Sequence, residues 1–564
     1  MQKNSTIDHY LMVTMGLFFF ILVVNTSYFG GPLSDESLPI ATSLRFINGQ
    51  IPFIDDFSAF IPLGLLLYPL IKLSLWLHQG TNELILFLRH SYIAFVFLVT
   101  GYTFFLLRKK FPIFLCFFIF FGISIFHPFG INNFHYDTLA TLLWSNSLFQ
   151  FFCFQYLAEI KKIHLIIFSL TNLILCLAYP TFIFFLIPFY FIFYPLSRHS
   201  SKILFFHCLI SIVASCGMMY VIFYYFDIST KHIGYFINFL HRLNLSNESL
   251  LNRFFELIQR LITNYALNLL IVSAVLSIAY IGKKNRLIFL SCFIFILLFP
   301  FFKINITQSN FNEIFFVLNY MAFLSFPLFL IFLRSNLEAK KLFFFIGIPS
   351  LAAGLLTSLT AHLLDLNLII GFFPAALLAY IFIFFIFQNY FKDQLSFRFF
   401  VTRFVLILGL IELSFFQWNF IYSSPTSGIA TYKNSIKVIE QNAFSGLYVD
   451  PTCYLIIRDL QNDLSKIDEF SKEFVYFGLF SAGYLFPSQL KPGEYILYSS
   501  PEQKHFGEKL RTPNYIFDFS KFWLTGPEVV NNRLNGINYK KIVKRQFYDI
   551  YASENSQVFK HLKP

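Results

Sequence analysis

The acidic residues of this sequence are few, and their placing is what could do chemistry. Asp35-Glu36 stands in SDESLPI, Asp55-Asp56 in IPFIDDFSAFIPLG, and Asp137 follows His135 and Tyr136 in NNFHYDTLATLL. A carboxylate acts as a general base when it lies within hydrogen-bond reach of the proton it takes. Asp35 with Asp55, Asp56 or Asp137 also offers the oxygen ligands of a divalent cation. The plain alternative is local structure. Asp is among the best helix N-caps, so Asp35 can cap the helix-like segment that follows it, and Asp55-Asp56 can mark a turn. His135 beside Asp137 either contacts a substrate or caps the next helix.

The elements that must position these residues are set by composition. Of 564 residues, 57% are hydrophobic and 13% charged, and Phe alone occurs 83 times. The apolar residues come in blocks long enough to cross a hydrocarbon core of about 30 Å, which takes roughly 20 helical residues. That reads as a polytopic helical membrane protein. The blocks are continuous rather than alternating, which excludes a β-barrel. The net charge of +12 does not point to nucleic acid, because the basic residues sit in short connectors such as Arg108-Lys109-Lys110, Lys161-Lys162 and Lys340-Lys341. That distribution is the positive-inside pattern. The seven cysteines form no CxxC and no ligand spacing, so neither a disulfide framework nor a zinc site is expected. The first apolar run lacks a small-residue cleavage site and reads as a retained helix.

Threading the apolar runs gives about thirteen spans, from 10–28 to 400–421. With the N-terminus inside, every basic connector falls inside, and Asp35-Glu36, the 127–137 loop and the tail fall outside. The split at Tyr179-Pro180 separates two short runs, 164–178 and 181–196. The first outer loop contains LGLLLYPLIKLSLWL, where Pro62 just before it, Pro69 and Lys72 favour helices lying along the interface. The expected domains are a membrane part, 1–421, and a small α/β domain outside the membrane, 422–564. In the tail, EYILYSS reads as a strand and YLIIRDLQNDLSKIDEF as an amphipathic helix.

The first loop as a whole, DESLPIATSLRFINGQIPFIDDFSAFIPLGLLLYPL, resembles that of the GT-C superfamily of integral-membrane glycosyltransferases. The group includes the protein O-mannosyltransferases and aminoarabinose transferases. The matching features are Asp35-Glu36, a helix carrying Arg45, the turn Gly49-Gln50-Ile51-Pro52-Phe53, Asp55-Asp56 and Pro62. The second outer loop, with His135, Tyr136 and Asp137, looks like the family's as well. LTSLTAHLLDLNLIIGFFPAALLAY and NAFSGLYVDPTCYLIIRDLQNDL resemble a bacterial branch with a small outer C-terminal domain.

The resemblance implies an inverting hexosyl or pentosyl transferase in the bacterial inner membrane. Its donor would be a polyprenyl-phosphate-linked sugar, and its acceptor a glycan, lipid or protein at the outer face. It implies Asp35 as base, with Glu36 orienting it or binding the sugar. Arg45, Lys72 and Arg89 would be among several outer cations for the leaving phosphate, with headgroup binding or snorkelling as the plain alternative for each. Asp55, Asp56, His135 and Asp137 would contact substrate. A divalent cation fits some relatives and not others. Membrane lipids are expected around the bundle, with Phe mainly filling lipid-facing surface.

Other classes compete with this reading. A transporter or lipid-linked glycan flippase would be expected to carry ionisable groups in mid-membrane, and here Glu412 is the one clear acidic exception in the spans. A glycan polymerase or ligase would be expected to carry a large basic outer loop between late spans. No GxxxxGK[ST] nucleotide motif occurs.

Overall fold

The computed structural model describes residues 2–33, 35–53, 61–157, 160–193, 200–229, 234, 250–282, 285–300, 311–332, 336–360, 367–419, 434–467, 473–477, 481–486, 491–492, 514–519, 533–534 and 537–553. Helices dominate. The first nine are α1 (Gln2–Thr26), α2 (Ser37–Ile47), α3 (Ile61–His78), α4 (Leu84–Leu107), α5 (Ile113–Ile125), α6 (Tyr136–Phe154), α7 (Lys162–Ala178), α8 (Thr181–Phe193) and α9 (Ser200–Tyr225). There follow α10 (Leu250–Leu261), α11 (Leu267–Ile281), α12 (Arg286–Leu298), α13 (Phe311–Phe332), α14 (Leu337–Leu342), α15 (Ile348–Thr360), α16 (Leu368–Tyr390), α17 (Leu395–Asn419) and, in the tail, α18 (Pro451–Ser465). The split at Tyr179-Pro180 appears as the boundary between α7 and α8.

Among the described residues, six helical stretches are long and apolar enough to cross a membrane: Ile61–His78, Leu84–Leu107, Phe206–Tyr225, Leu251–Ile281, Leu337–Thr360 and Leu368–Tyr390. Shorter apolar helices accompany them at Tyr10–Thr26, Ile113–Ile125, Lys162–Ala178, Arg286–Leu298 and Phe315–Ile331. This supports membrane character and does not establish thirteen spans. The first-loop segment departs from expectation, because α3 is one continuous helix of 18 residues and of crossing length. Pro62 falls in its first turn, where no intrahelical N–H is needed, so only Pro69 interrupts its ladder.

Two helices form the centre of the bundle. Every residue of α6 from Asp137 to Phe154 is buried, and so is every residue of α16 from Leu368 to Phe387. Phenylalanine is therefore core as well as lipid-facing surface: Phe372, Phe373, Phe382 and Phe387 are buried, while Phe184 and Phe206 point outward. α16 crosses α15 backbone to backbone, since a Cβ on Gly371 would collide with the amide nitrogen of Gly354. The Ser350 hydroxyl sits in that crossing. It donates to the Gly371 carbonyl at 2.5 Å and accepts from the Ala375 amide at 3.0 Å. It thus bridges the backbone groups of the turn that Pro374 disturbs.

α6 carries a polar seam. Asn146 accepts from Thr103 on α4 at 2.6 Å, Gln150 donates to the same hydroxyl at 3.1 Å, and Ser147 donates to Asn172 on α7 at 3.0 Å. The helix buries these groups because its neighbours supply partners.

Charge sorts to the two ends of the bundle. At one end Lys110 pairs with Glu338 at 2.9 Å, Tyr156 donates to the same carboxylate at 2.7 Å, and Lys341 lies over the Tyr156 ring at 4.8 Å. The basic connectors 108–110 and 336–341 thus meet at a single basic end. The acidic end, at the opposite termini of α4 and α6, holds Glu36, just before α2, and Asp137, in the first turn of α6.

The tail contributes a two-stranded ladder, β1 (Ile436–Lys437) with β2 (Tyr448–Val449), and α18, whose N-cap Asp450 accepts from the amides of Thr452 and Cys453. The expected amphipathic helix over YLIIRDLQNDLSKIDEF is α18. A mixed sheet follows, made of β3 (Glu473–Phe477), β4 (Lys491–Pro492), β5 (Tyr515–Asp518), β6 (Arg533–Leu534), β7 (Ile537–Lys544) and β8 (Asp549–Ser553), in the order β4-β3-β5-β8-β7-β6. β3 runs parallel to β4 and β5, and the remaining pairs are antiparallel. EYILYSS lies outside the described residues. The tail is knitted to the acidic end by backbone bonds: Gly30 N to Tyr448 O at 3.0 Å, Tyr448 N to Tyr28 O at 2.7 Å, and Glu83 N to Asn442 O at 3.0 Å.

Candidate functional site

The acidic end is organised around one guanidinium. Arg89 lies in the first turns of α4 and is 2% exposed. Its Nε and Nη2 donate to the two Glu36 carboxylate oxygens, each at 2.7 Å. Its Nη1 donates to the carbonyls of Ser27 and Phe29, where the chain leaves α1, at 2.7 and 2.8 Å. Asn133 adds a further donor to Glu36 at 2.8 Å. A bidentate Arg–carboxylate pair is strong and geometrically exact, so this clamp fixes α1, α2, α4 and the loop before α6 against one another. One expectation changes here. Arg89 is a buried clamp and not a headgroup cation, because its charge is met within the fold. Glu36 has both oxygens engaged, which suits it to positioning rather than to holding a sugar or taking a proton.

Asp35 is the residue before this anchor. It is half-buried, and its carbonyl accepts from the Leu38 amide at 3.3 Å. The N-cap position of α2 falls on Glu36, whose side chain makes no capping bond. The clamp therefore holds the backbone of Asp35 in place through its neighbour.

Asp137 and His135 meet the same end from the start of α6. Asp137 Oδ2 lies 3.9 Å from His135 Nδ1, and both residues are buried. Neither ring nitrogen of His135 has a hydrogen-bond partner among the described residues, and neither does Asp137 Oδ1. Buried polar atoms are nearly always satisfied, so such a cluster is a place where a ligand's polar groups fit. Burial holds the His135 imidazole down to about 3, which leaves it neutral at neutral pH. Burial pushes the Asp137 carboxyl well above its usual range, the charge of Asp35 adds to the rise, and a hydrogen bond from Tyr136 opposes it. Asp35 and Asp137 are thus electrostatic neighbours, one half-open and the other enclosed. His127, in the same loop, is also held neutral by burial, at about 3, and its Nδ1 lies 3.4 Å from the Tyr92 hydroxyl.

A scan of protein-family models finds none that matches this chain, and a search among curated proteins finds no match either.

Arg45 lies on α2 beneath the tail. It is fully buried, and its guanidinium carbon stands 4.8 Å from the centroid of Tyr484, in the tail's turn Ser481–Leu485. The tail therefore roofs the acidic loop and supplies a cation–π partner to its buried cation. Asp55 and Asp56 lie outside the described residues. Among the described residues no group of three or more His, Cys, Asp or Glu is placed to hold a metal ion, so a cation there would rest on Asp35 and Asp137 with ligands from elsewhere.

Sequence reasoning missed Asn133 and Tyr484 as parts of this end and misjudged Arg89. A usable signal existed for Arg89 alone: a cation inside an apolar helical run is costly unless it is paired.

Proposed function

We propose that this chain is a multi-pass membrane glycosyltransferase of the GT-C kind. It moves a sugar from a polyprenyl-phosphate donor to a glycan, lipid or protein acceptor at the outer face of a bacterial inner membrane. The observation that carries the reading is the acidic end itself: a half-buried carboxylate, Asp35, is anchored by the Glu36–Arg89 clamp next to an enclosed pair, His135 and Asp137, that has open hydrogen-bonding capacity.

In this reading Asp35 takes the proton of the acceptor hydroxyl or amine as it attacks the anomeric carbon. The neutral His135 and the reluctant Asp137 accept and donate hydrogen bonds to the sugar. Arg45, together with cations in the loops, meets the charge that develops on the leaving phosphate. Thirteen spans with the tail outside would place this end at the outer face, which agrees with the gathering of basic connectors at the other end.

The test is turnover: purified protein in nanodiscs, given polyprenyl-phosphate sugars labelled in the sugar, transfers label to an acceptor. A protein that moves no label from any of them breaks the reading. The second reading, a lipid-linked glycan flippase, is favoured by one observation. Tyr380 donates to Glu412 within the bundle, and Glu412 Oε1 has no partner among the described residues. Glu412→Gln would abolish movement of labelled lipid across proteoliposomes if that reading holds, and leave sugar transfer intact if the first one does.

A further inference from the structure

A groove of about 460 Å³ opens where the tail meets the bundle, lined by Asn25, Tyr28, Phe29, Glu83, Lys437 and Tyr448 among others. Its walls come from three parts of the chain: the end of α1, the start of α4 and the β1–β2 ladder. We propose that this groove is a binding subsite for a neutral glycan chain, the acceptor side of the reaction. The clause about the acceptor rests on the transferase reading, whereas the binding itself rests on the groove.

The lining chemistry selects that class. Phe29 and Tyr448 stack at 5.0 Å with 24° between their planes, so each ring covers one face of the other, and both line the groove beside Tyr28. Aromatic faces suit the C–H faces of pyranose rings, and the tyrosine hydroxyls keep a polar edge in water. The Asn25 amide, the Glu83 carboxylate and the Lys437 ammonium have no side-chain partner among the described residues. They supply donors and acceptors, and their charges cancel. A phosphate or polyanion would meet Glu83, and a cationic peptide would meet Lys437. A polyhydroxylated neutral chain meets neither penalty and can use both groups.

The backbone supports the placement. Glu83 has φ +55°, in the left-handed region that non-glycine residues seldom adopt, and its amide donates to Asn442 of the tail. Left-handed backbone of this sort persists only where surrounding structure over-determines it, and here it turns α4's first residue toward the tail. The groove is also linked to the acidic end. The Phe29 carbonyl accepts from Arg89, which grips Glu36, so the aromatic wall and the base share one clamp.

The experiment uses the full chain in nanodiscs with cellohexaose, maltohexaose and N-acetylchitohexaose as probes, followed by saturation-transfer difference NMR. At least one hexaose binds in the millimolar range or tighter. Tyr448→Ala weakens that binding about fivefold to tenfold, as removal of an aromatic contact does. Tyr448→Ala keeps the backbone bonds that dock the tail, and the exposed changes Glu83→Gln and Lys437→Ala, each lowering binding about threefold, do not touch the fold. Lys466→Ala, on the exposed end of α18, leaves binding unchanged. No saturation transfer from any hexaose, or transfer that the groove variants leave intact, overturns the proposal. Binding without sugar transfer keeps the subsite and defeats the transferase reading. Sugar transfer without hexaose binding does the reverse.

Discussion

Glu36 and Asp137 lie at the same end of the bundle, both almost fully buried, and the fold treats them in opposite ways. Glu36 receives three charged or polar donors, from Arg89 and Asn133. Asp137 has His135 at 3.9 Å and one oxygen with no partner among the described residues. Two carboxylates of similar burial thus divide the work: one holds elements together, and the other stores unmet hydrogen-bonding capacity. Satisfied polar groups specify a structure, whereas unsatisfied ones raise its energy until something binds. In the proposed transferase, that contrast puts the working side of the acidic end on α6 and Asp35, and its mechanical side on α4.

The contrast can be broken or sharpened by substitution. The largest effect belongs to Asp35. Asp35→Asn is expected to lower sugar transfer by roughly 10²–10⁴-fold, the scale of general-base catalysis, with thermal stability unchanged. Normal turnover in that variant would remove Asp35 as base and move suspicion to Asp137, Asp55 or Asp56. Next comes the clamp. Arg89→Ala leaves the Glu36 charge buried without its main partner and should cost about 3–5 kcal/mol, read as a large fall in unfolding temperature in detergent. Glu36→Gln acts in the same direction, and replacing both together by Arg89→Met and Glu36→Leu should recover much of the loss. An Arg89→Ala protein as stable as the parent would show that the clamp holds nothing.

Asp137→Asn should behave the other way. It removes a buried carboxyl whose ionisation the fold resists, so unfolding temperature at neutral pH rises by about 1–3 °C while sugar transfer falls. The sign follows from the raised folded-state value. Above pH 3.8 the unfolded chain releases this proton while the fold keeps it, so the cost to the fold grows with pH, and the advantage of Asn fades as pH falls through 3.8, where the unfolded chain is protonated too. A variant that lost both stability and activity would make Asp137 structural.

The smallest effect is that of His135. Its folded value is lowered from 6.5 to about 3, so its contribution is intact above 6.5 and is lost as pH falls from 6.5 toward 3. His135→Gln should flatten that acid-side loss, seen by comparing unfolding temperatures at pH 5 and pH 8. Equal pH slopes in parent and variant would mean that His135 is not held neutral.

Periodicity and punctuation made much of the helical part legible. The apolar blocks became helices, Tyr179-Pro180 became a boundary, and the run from Tyr454 became α18. Gly49 takes φ +89° after α2, in the Gly-Gln-Ile-Pro-Phe turn that the sequence marked. What could not be read was pairing across long separations. Glu36 and Arg89 are 53 residues apart, and no local pattern says that a cation on one helix closes on a carboxylate before another. The same holds for Arg45 under Tyr484, which depends on the tail folding back over the first loop. Burial of Phe was misjudged for a related reason. Composition gives apolarity but not direction, and lipid and protein interior are equally hospitable to a phenyl ring.

The two central helices carry a consequence for how the chain is assembled. α16 is the most apolar of the crossing helices, with a mean hydropathy of 2.6, yet its whole apolar window ends inside the protein. Such greasiness suits entry into a bilayer, where lipid would be only its first neighbour. α6 is the reverse case: its composition falls short of a crossing helix, and Asn146, Ser147 and Gln150 find their partners on α4 and α7. In the proposed multi-pass chain, α16 is expected to leave the translocation channel alone, and α6 to wait beside α4 until α7 emerges. Glycosylation mapping of chains truncated after each helix should show α16 inserting in isolation and α6 inserting only with its sequence neighbours. The order in which the ribosome delivers helices is then part of how the acidic end comes to be built.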